Sequence, residues 1–471
     1  MMKKTKIVAT IGPASDNRET LTELIESGMN VVRINFSHGT HESNGKVIDL
    51  VREISKEKQC SVGIMVDLQG PRIRVGNLEP FEIEKGELIH VSDKKTTGEK
   101  ELVIDSDGVA EALQSGERIL IEDGLMELRV VERSGETVKA EVINGGTIKP
   151  RKGINLPDTI LHFGAVTKKD EEDLAFAMKK EVDFIALSFV SNAKEVKETR
   201  EKIKKLLERL ENLPGIVSKI ERKEAIRNID EIIEVSDVVM VARGDLGIEL
   251  DETKVVIYQK QIIEKCVKAA RPVIVATQML DSMIQNPIPT RAEVSDVSNA
   301  VIDRTDAVML SGESANGKFP VKAVETMSKI ISDTEKSRFD DREIESPKKE
   351  EDMEYVAVVK TAIDMAKNSH AKAILAVTER GHTAKLLSHF RPEQRILAAT
   401  RHEKTYFKTS MYWGVEPYLF SGDNLEEFIY EMIEKAKVEG KLKSKDKIII
   451  IFGVIPGTQE KMRLVGIKEI V

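Results

Sequence analysis

The stretch Gly215-IVSKIERKEAIRNIDEIIEVSDVVMVARG-Asp245 contains two short β-branched runs separated by an amphipathic segment. This alternation is expected of parallel strands that are covered by helices. Each run ends in polar residues: Lys219 and Glu221 lie at the end of the first run, and Asp245 follows the second. The stretch therefore predicts a strand–helix–strand unit that carries chemistry at the ends of its strands.

The same pattern recurs along the first two thirds of the chain and gives eight runs in all. The runs are Lys6 to Ile11, Asn30 to Asn35, Ser61 to Leu68, Asp183 to Phe189, Gly215 to Ile220, Asp237 to Ala242, Pro272 to Thr277 and Asp306 to Leu310. Eight such strand–helix units close a barrel. We therefore predict an α/β protein built on a (β/α)8 TIM barrel.

Two further segments lack the alternation of apolar runs and amphipathic stretches that marks the barrel. From Ile73 to Asn155, short alternating segments split by glycines indicate a small β-rich insertion, and a charged stretch from Arg338 to Asp352 has the character of a linker. We predict a barrel domain of residues 1–71 plus 156–337 and a lid domain of residues 72–155. Residues 338–471 then form a C-terminal open α/β domain.

Strand-like runs also define the C-terminal α/β unit. They are Ala373 to Val377, Arg395 to Ala399 and Lys447 to Phe452.

Composition excludes several classes of protein. With 471 residues the chain is long enough for about three domains at roughly 150 residues each. A net charge of −8 argues against general nucleic-acid binding, which needs a basic face. The longest apolar stretch, Ile448 to Ile455, is far short of the ~20 residues that span a bilayer. We expect neither a nucleic-acid partner nor a membrane partner.

The chain has two cysteines, Cys60 and Cys266, which exclude a disulfide framework and a multi-cysteine metal cluster. We expect both to be buried and unreactive. The basic N-terminus lacks the 7–15 apolar residues of a secretory signal. These features predict a cytoplasmic protein.

Polar residues follow six of the eight predicted strands, at the barrel end where reacting groups collect in this fold. They are Arg33, Asn35, Ser37, His38, Asp67, Gln69, Arg72, Arg74, Lys219, Glu221, Arg243, Asp245, Thr277, Gln278, Ser311 and Glu313. This convergence on one rim predicts a single active site.

Lys219 and Glu221 are two residues apart on one strand and so face the same side. Glu221 and Asp245, with no nearby His or Cys, suit a hard divalent cation such as Mg²⁺. Phosphoryl transfer needs positive charge on the moving group, which Lys219, Arg33, Arg74 and a metal would supply. The rim therefore predicts metal-dependent phosphoryl transfer.

Plainer interpretations exist for each motif taken alone. We give a Lys-x-Glu pair on a strand, taken alone, roughly one chance in ten of being catalytic, since exposed ion pairs usually contribute little. The Arg243-Gly-Asp245 turn could be an ordinary strand end in which glycine supplies an unusual backbone angle. His38 could equally cap a helix or pack.

Longer segments resemble the pyruvate kinase family over essentially the full chain. They are Lys6-IVATIGPAS-Asp16, Arg33-INFSHG-Thr40, Met65-VDLQGPRIR-Val75, Ser218-KIE-Arg222, Met240-VARGDLGIE-Leu250, Val275-ATQMLDSM-Ile284, Pro289-TRAEVSDVSNAV-Ile302 and Met309-LSGESANGKFP-Val321. The resemblance implies a barrel with a mobile β-barrel lid and a C-terminal effector domain. It also implies transfer of phosphate from phosphoenolpyruvate to ADP, which gives pyruvate and ATP in glycolysis, by an allosteric homotetramer.

The resemblance also implies roles for single residues. Lys219 would stabilise the transferring phosphoryl group, Arg33 would contact it, and Glu221 with Asp245 would bind Mg²⁺ or Mn²⁺. Gly244 and Asp245 would lie at the phosphoenolpyruvate carboxylate, and Thr277 at the carbon where the enolate is protonated. The residues implied to face the nucleotide are Asn35, Phe36, Ser37, His38, Arg74 and Lys152.

The third-strand loop departs from the family pattern. Many members read Asp-Thr-Lys-Gly-Pro-Glu-Ile-Arg and depend on potassium, whereas this chain has Arg72 where they have glutamate. In the family pattern Asn35, Ser37, Asp67 and the Leu68 carbonyl would line the potassium site. A fixed guanidinium nearby could supply the same charge, so we predict that potassium is dispensable.

The C-terminal domain contains a candidate effector loop, Thr378-Glu379-Arg380-Gly381-His382-Thr383, between a strand and a helix. It resembles the family's phosphate-binding loop, and a plain strand–helix turn would look similar. The Gly453-Val-Ile-Pro-Gly457 segment lacks the Trp-Arg pair of members activated by fructose 1,6-bisphosphate. A different phosphorylated effector, or none, fits this sequence.

Two other functions compete with this interpretation. Another magnesium-dependent phosphoenolpyruvate or enolate barrel enzyme would lack the nucleotide-covering insertion. An inactive ligand-sensing scaffold would have lost Lys219 or a metal carboxylate, and all three are present.

Overall fold

The first part of the barrel is built from alternating strands and helices at the N-terminal end of the chain. The computed structural model describes residues 3–94, 100–134, 137–161, 164–207, 209–340, 344–347, 353–420, 425–452 and 463–471. The first elements are β1 (Lys6–Ile11), α1 (Arg18–Glu26), β2 (Val31–Asn35), α2 (His41–Glu57) and β3 (Gly63–Asp67). Thr40 and Ser43 form a reciprocal capping box at the start of α2, which fixes where the loop after β2 ends.

The lid follows β3 directly and is almost entirely β structure. Its elements are β4 (Phe81–Ile83), β5 (Leu88–Ser92), β6 (Glu101–Val103), α3 (Val109–Ala112), β7 (Arg118–Ile121), β8 (Met126–Ser134), β9 (Thr137–Asn144), β10 (Gly146–Ile148) and β11 (Ile154–Asn155). Six strands form one sheet in the order β11-β7-β8-β9-β5-β6, and β10 pairs with β4. Arg74 bridges to Gly153 at one edge and Val75 bridges to Ile104 at the other, so the entering chain closes the sheet around its own apolar core.

The chain then returns to the barrel and completes it. The elements are α4 (Lys168–Lys179), β12 (Phe184–Leu187), α5 (Ala193–Leu206), β13 (Gly215–Ile220), α6 (Lys223–Arg227), α7 (Ile229–Val235), β14 (Val238–Ala242), α8 (Arg243–Glu249), α9 (Glu252–Lys268), β15 (Val273–Ala276), α10 (Arg291–Ile302), β16 (Ala307–Leu310), α11 (Gly312–Ala315) and α12 (Pro320–Glu335). Short 3-10 helices occur at Leu210–Asn212, Asp281–Ile284 and Arg338–Asp340.

The barrel is closed and parallel, in the order β1-β16-β15-β14-β13-β12-β3-β2, which confirms the predicted fold class. All eight predicted runs are strands, although several are one to three residues shorter than the apolar pattern suggested. One face of each strand packs against the surrounding helices. The opposite face contributes residues such as Val31, Met65, Phe184 and Val217 to a cluster that fills the barrel interior.

The C-terminal domain is an open sheet with helices on its faces. Its elements are α13 (Met353–Asn368), β17 (Ala373–Val377), α14 (His382–His389), β18 (Arg395–Thr400), α15 (Glu403–Lys408), β19 (Val415–Leu419), α16 (Leu425–Val438), β20 (Lys447–Phe452) and β21 (Leu464–Glu469), with a 3-10 helix at Thr409–Met411. The strand order is β19-β18-β17-β20-β21, with β21 antiparallel. Met411 inserts into the barrel's interior cluster and joins the two domains.

Two expectations need comment. Cys266 is buried as predicted, but Cys60 is partly exposed, so the prediction that both cysteines are buried was wrong for Cys60, which precedes β3 at the protein surface. The segment Gly453 to Gly457 lies outside the described residues. Among the residues described, no helix is both long and apolar enough to cross a bilayer.

Candidate active site

The inward-facing side chains change character along each barrel strand. Val31 is followed two residues later by Arg33, Met65 by Asp67, and Val217 by Lys219. Because side chains on a strand alternate between faces, each polar residue points the same way as the apolar residue two positions before it. The barrel interior is therefore apolar at one end and charged at the other.

Four charged side chains meet at that charged end. Arg33 Nη2 lies 2.7 Å from Asp67 Oδ2, and Lys219 Nζ lies 3.2 Å from Asp67 Oδ1 and 3.0 Å from Glu221 Oε1. The Lys219 side chain is 10% exposed and that of Asp67 is 1% exposed. Charges buried this deeply are held only when they are paired, and these are.

The cluster keeps Lys219 and Asp67 charged. Burial acts to lower the pKa of Lys219, but Asp67 and Glu221 outweigh it, so the pKa lies above its ordinary value. Burial likewise acts to raise the pKa of Asp67, and Lys219 and Arg33 outweigh it, so this pKa lies below its ordinary value. At neutral pH the site therefore presents a fixed ammonium group.

Ser188 and Phe189 join this cluster and were missed by the sequence prediction. Lys219 Nζ donates a 2.8 Å hydrogen bond to Ser188 Oγ, which donates a 2.8 Å bond to the Leu68 carbonyl. The backbone N–H of Phe189 donates to Glu221 Oε2 at 2.7 Å. The prediction treated both residues as strand, but β12 ends at Leu187. The alternation Phe184, Ala186, Ser188 was the signal that could have found Ser188.

Asp245 follows the neighbouring strand, β14, and lies in the first turn of α8. Its side chain is 26% exposed, so it reaches the open side of the cluster. Burial raises the pKa of Glu221, and the nearby charge of Asp245 raises it further. A divalent cation bound between these two carboxylates would relieve their mutual repulsion.

The carboxylate pair fits Mg²⁺ or Mn²⁺ better than zinc. No group of three or more His, Cys, Asp or Glu side chains with metal-binding geometry occurs in the described part of the chain. Mg²⁺ is commonly held by one or two carboxylates and completes its shell with water and substrate phosphate. Glu221 and Asp245 are the residues that would hold it.

Several hydrogen bonds hold the loop after β15 against the start of α8. The backbone N–H of Gly244 donates to Thr277 Oγ1 at 2.9 Å, and Arg243 donates to the Thr277 carbonyl at 2.6 Å. Asp296, on α10, pairs with Arg243 at 2.6 Å. Thr277 has φ 69°, an unusual conformation for a β-branched residue. Such strain persists where surrounding contacts enforce it, often at functional sites.

Arg72 lies between the lid and the barrel. Its Nη2 is 3.7 Å from Asp245 Oδ1 and 3.6 Å from Asp123 Oδ1 of the lid. The charged partners of Asp67 within the described chain are Arg33 and Lys219. The guanidinium therefore adds its charge on the Asp245 side of the site.

The predicted nucleotide residues lie along the same rim. Asn35 Oδ1 accepts from the Ser37 N–H at 3.0 Å, and His38 is exposed. The Phe36 ring is buried beside His41, its backbone N–H donates to the Asp67 carbonyl at 3.0 Å, and its carbonyl accepts from Lys169 at 2.9 Å.

Two further predicted nucleotide residues, Arg74 and Lys152, lie where the chain enters and leaves the lid. Arg74 donates to the Arg151 carbonyl at 3.0 Å, and Lys152 pairs with Glu122. Glu122 directly precedes Asp123, so this pair places Lys152 at the lid loop that Arg72 also contacts.

The predicted effector loop precedes α14. Gly381 has φ 82°, and its N–H donates to Thr378 Oγ1 at 3.0 Å. The Thr383 hydroxyl lies 2.6 Å from the Tyr355 hydroxyl, and Glu379 pairs with Arg401 and His402. Arg380 is exposed and His382 is partly exposed.

Comparison with known proteins identifies the family of this chain. The family model described as "Pyruvate kinase, barrel domain" matches residues 2–324, and the model described as "Pyruvate kinase, alpha/beta domain" matches residues 356–467. A curated pyruvate kinase of Sporosarcina psychrophila is 42% identical over 100% of this chain and 81% of its own length. A curated pyruvate kinase of Staphylococcus aureus (strain MRSA252) is 41% identical over 99% of this chain and 81% of its own length. A crystal structure of a pyruvate kinase from Cryptosporidium parvum superposes with a TM-score of 0.91 at 38% identity, covering 99% of this chain and 96% of that one. The chain belongs to the pyruvate kinase family.

Proposed function

We propose that Lys219 stabilises the phosphoryl group as this enzyme moves it from phosphoenolpyruvate to ADP, the pyruvate kinase reaction. The observation that carries the proposal is the buried cluster in which Lys219 contacts Asp67, Glu221 and Ser188. A loose phosphoryl-transfer transition state spreads negative charge over its oxygens, and a fixed ammonium in a site of low polarity stabilises that charge.

Arg33 binds the phosphate beside Lys219. Two contacts to Asp67 Oδ2 fix the guanidinium plane, because Nε lies 2.8 Å and Nη2 lies 2.7 Å from this one oxygen. Its Nη1 donates to Thr10 at 2.9 Å. A guanidinium held in place needs little reorganisation when substrate arrives.

Glu221 and Asp245 hold the divalent ion, Mg²⁺ or Mn²⁺. When bound, this ion supplies positive charge to the phosphate and carboxylate oxygens of the substrate. The proximity of the two carboxylates at the rim supports this role.

Thr277 protonates the enolate. After the P–O bond breaks, Thr277 Oγ1 gives its proton to the methylene carbon of the enolate, which forms the C–H bond of the pyruvate methyl group, and regains a proton from solvent. The hydroxyl is held at this position by Gly244 and by its own strained backbone. Gly244 and Asp245 lie beside the substrate carboxylate.

The nucleotide lies between the barrel rim and the lid. Asn35, Phe36 (through its backbone), Ser37 and His38 form the barrel side, and Arg74 and Lys152 supply positive charge near the lid. Lys152 pairs with Glu122, so the nucleotide phosphates would exchange for that carboxylate.

Potassium is dispensable to this chain. The guanidinium of Arg72 beside Asp245 supplies a positive charge that a monovalent cation near Asn35, Ser37, Asp67 and the Leu68 carbonyl provides in the family pattern. Support for this proposal rests on the replacement of glutamate by Arg72 and on its position.

The enzyme acts as a cytoplasmic homotetramer regulated through the loop Thr378 to Thr383. Val256 and Ile257, on α9, are 53% and 56% exposed, as expected of residues that a second subunit covers. The start of α14, where no side chain caps the helix, suits a phosphorylated effector.

The metal assignment is tested by ATP formation from phosphoenolpyruvate and ADP during Mg²⁺ titration. We expect Glu221→Gln and Asp245→Asn to raise the Mg²⁺ concentration for half-maximal rate and to lower the maximal rate. Asp230→Asn, which removes an exposed carboxylate paired with Lys265, is the control. Unchanged Mg²⁺ dependence in both rim variants would exclude these residues as the metal ligands.

A further inference from the structure

Helix α4, the first helix after the lid, contacts the loop that joins β2 to α2. This loop, residues 36–40, carries Ser37 and His38 of the proposed nucleotide side. Asn35, the last residue of β2, accepts a hydrogen bond from the Ser37 N–H at 3.0 Å, which orders the first turn of the loop. The position of the loop as a whole depends on what holds its two ends.

The first contact of α4 is made to the backbone at the start of the loop. The Phe36 carbonyl accepts a 2.9 Å hydrogen bond from Lys169 Nζ, and Lys169 lies in the first turn of α4. The Phe36 N–H donates to the carbonyl of Asp67, the last residue of β3, at 3.0 Å. Phe36 is therefore held from β3 on one side and from α4 on the other.

The second contact is made to His41, the first residue of α2. His41 Nε2 lies 2.7 Å from Asp173 Oδ1, and because a carboxylate accepts, the ring N–H donates. The His41 ring stacks on Phe176 of α4, with 4.5 Å between ring centroids and 4° between ring planes. The Phe36 ring lies 6.1 Å from each of these two rings. The far end of the loop is thus fixed against the same helix.

Asp173 joins the two contacts. Its Oδ2 lies 2.6 Å from Lys169 Nζ, one turn earlier on α4, and its Oδ1 accepts from His41. The Asp173 side chain is 3% exposed, whereas those of Lys169 and His41 are 50% and 42% exposed. A buried carboxylate needs such partners, but a half-exposed lysine or histidine can be solvated without one. Asp173 is therefore the group that keeps both side chains at the loop.

The start of α4 also contacts the loop after β3. Asp170 Oδ2 accepts from the N–H and the hydroxyl of Thr167, which caps the helix, at 2.9 Å and 2.7 Å. The other oxygen, Oδ1, accepts from the Gly70 N–H at 3.3 Å, two residues before Arg72. Asp170 is fully buried. One end of α4 therefore contacts two of the loops that form the rim of the site.

We propose that Asp173 is a positioning residue for ADP: through Lys169 and His41 it holds residues 36–40 in the conformation that binds the nucleotide. This inference rests on the proposed position of the nucleotide. A loop that is already in place loses less conformational freedom when a ligand binds, so the ligand binds more tightly. Lys219 is held by separate contacts within the barrel. Loss of Asp173 should therefore weaken ADP binding and spare the phosphoenolpyruvate side.

The experiment measures kcat and the KM of each substrate, with the other substrate saturating, in the full-length enzyme. For Asp173→Ala we expect the KM for ADP to rise about tenfold, because two hydrogen bonds between charged or polar side chains are lost. The values of kcat and of the KM for phosphoenolpyruvate should stay within about twofold of wild type.

A second variant acts on the same contact from the exposed side. Lys169→Met replaces a half-exposed residue and removes the hydrogen bond to the Phe36 carbonyl, so it should raise the KM for ADP by a similar factor. In Lys169→Met/Asp173→Ala the KM for ADP should be no higher than in Asp173→Ala, because residues that act through one contact are not additive. Asp173→Asn keeps one acceptor oxygen and should restore part of the affinity.

Glu171→Ala is the matched control. Glu171 is an exposed carboxylate on the same helix, and it pairs with Lys202 of α5. Its loss should leave the KM for ADP at the wild-type value. A change of the same size in Glu171→Ala and Asp173→Ala would show that any lost ion pair on α4 has this effect, and would overturn the proposal.

Two further results would overturn the proposal. They are an unchanged KM for ADP in both folded single variants, and equal increases in the KM for ADP and the KM for phosphoenolpyruvate. His38→Ala separates this inference from the proposed nucleotide position, since it removes an exposed side chain of the loop itself. A raised KM for ADP in His38→Ala but not in Asp173→Ala would refute the role of Asp173 alone. An unchanged KM for ADP in both would refute the nucleotide position as well.

Discussion

The ammonium of Lys219 lies 3.0 Å from the carboxylate of Glu221, two positions along the same strand, with both side chains buried. A strand places these two residues on one face, and the barrel turns that face inward. Glu221 is also proposed to bind the metal. The contact therefore places Lys219, the proposed phosphoryl-binding residue, directly beside a metal ligand.

Ser188 positions Lys219, and its hydroxyl should matter to turnover. Ser188→Ala removes the 2.8 Å contact to Lys219 Nζ while leaving the backbone of the loop unchanged. We expect kcat to fall by about tenfold, the effect of one lost hydrogen bond of roughly 1–1.5 kcal/mol, with little change in the KM for phosphoenolpyruvate. Steady-state assays at saturating ADP measure both constants.

Ser236→Ala is the matched control for Ser188→Ala. Ser236 is a buried, hydrogen-bonded serine that precedes β14, at the opposite end of the barrel. Equal losses of kcat in the two variants would indicate general destabilisation in place of a positioning role for Ser188.

Arg72 should set the response to monovalent cations. In tetramethylammonium chloride the wild type is expected to turn over at a rate comparable to that in KCl. Arg72→Glu reverses the charge beside Asp245 and should lose roughly tenfold or more in tetramethylammonium, with part of the rate restored by KCl.

The control for Arg72→Glu is Arg129→Glu, a charge reversal at an exposed lid residue. A large potassium activation of the wild type would contradict the potassium prediction directly.

Lys6 should make the stability of the protein depend on alkaline pH. Its Nζ donates to the Val415 carbonyl at 2.7 Å across the domain boundary, and its side chain is buried. Burial lowers the pKa of Lys6 to about 8, although Glu416 and Glu335 raise it in part and Lys441 lowers it. Below pH 8 both folded and unfolded chains carry the proton, so the cost of burying the charge is fully present.

Between pH 8 and the unfolded value near 10.4 the unfolded chain binds more protons, so the free energy of unfolding rises with pH. We expect the wild type to gain up to about 3 kcal/mol relative to Lys6→Met between these pH values. Urea denaturation of both proteins at pH 7.5 and pH 10 measures the difference. A difference that stays constant with pH would show that Lys6 has no lowered pKa.

Sequence pattern predicted the barrel because its strands are buried on both faces and so form apolar runs with polar ends. It missed β19, whose sequence Val415-Glu-Pro-Tyr-Leu419 contains proline, a residue that sheets tolerate at an edge, and β19 is an edge strand. It also missed β21, the opposite edge, where Leu464 and Ile467 are about half exposed. Edge strands need less apolar sequence than central ones.

The site was predictable wherever a strand end supplied the residue. Lys219, Glu221 and Asp245 follow from strand ends that converge. The contact of Arg243 with Asp296 joins residues 53 positions apart, and the left-handed backbone of Thr277 depends on its neighbours in space. Neither leaves a local pattern in the sequence.

The role of Lys219 is tested most directly by lactate-dehydrogenase-coupled turnover of phosphoenolpyruvate and ADP by Lys219→Met. Lys58→Met, which removes an exposed lysine paired with Glu26, is the control for loss of a positive charge. Stabilisation of the phosphoryl group by Lys219 predicts that kcat falls by about a thousandfold or more while Lys58→Met keeps wild-type turnover. A folded Lys219→Met protein that retains near-wild-type kcat would contradict it.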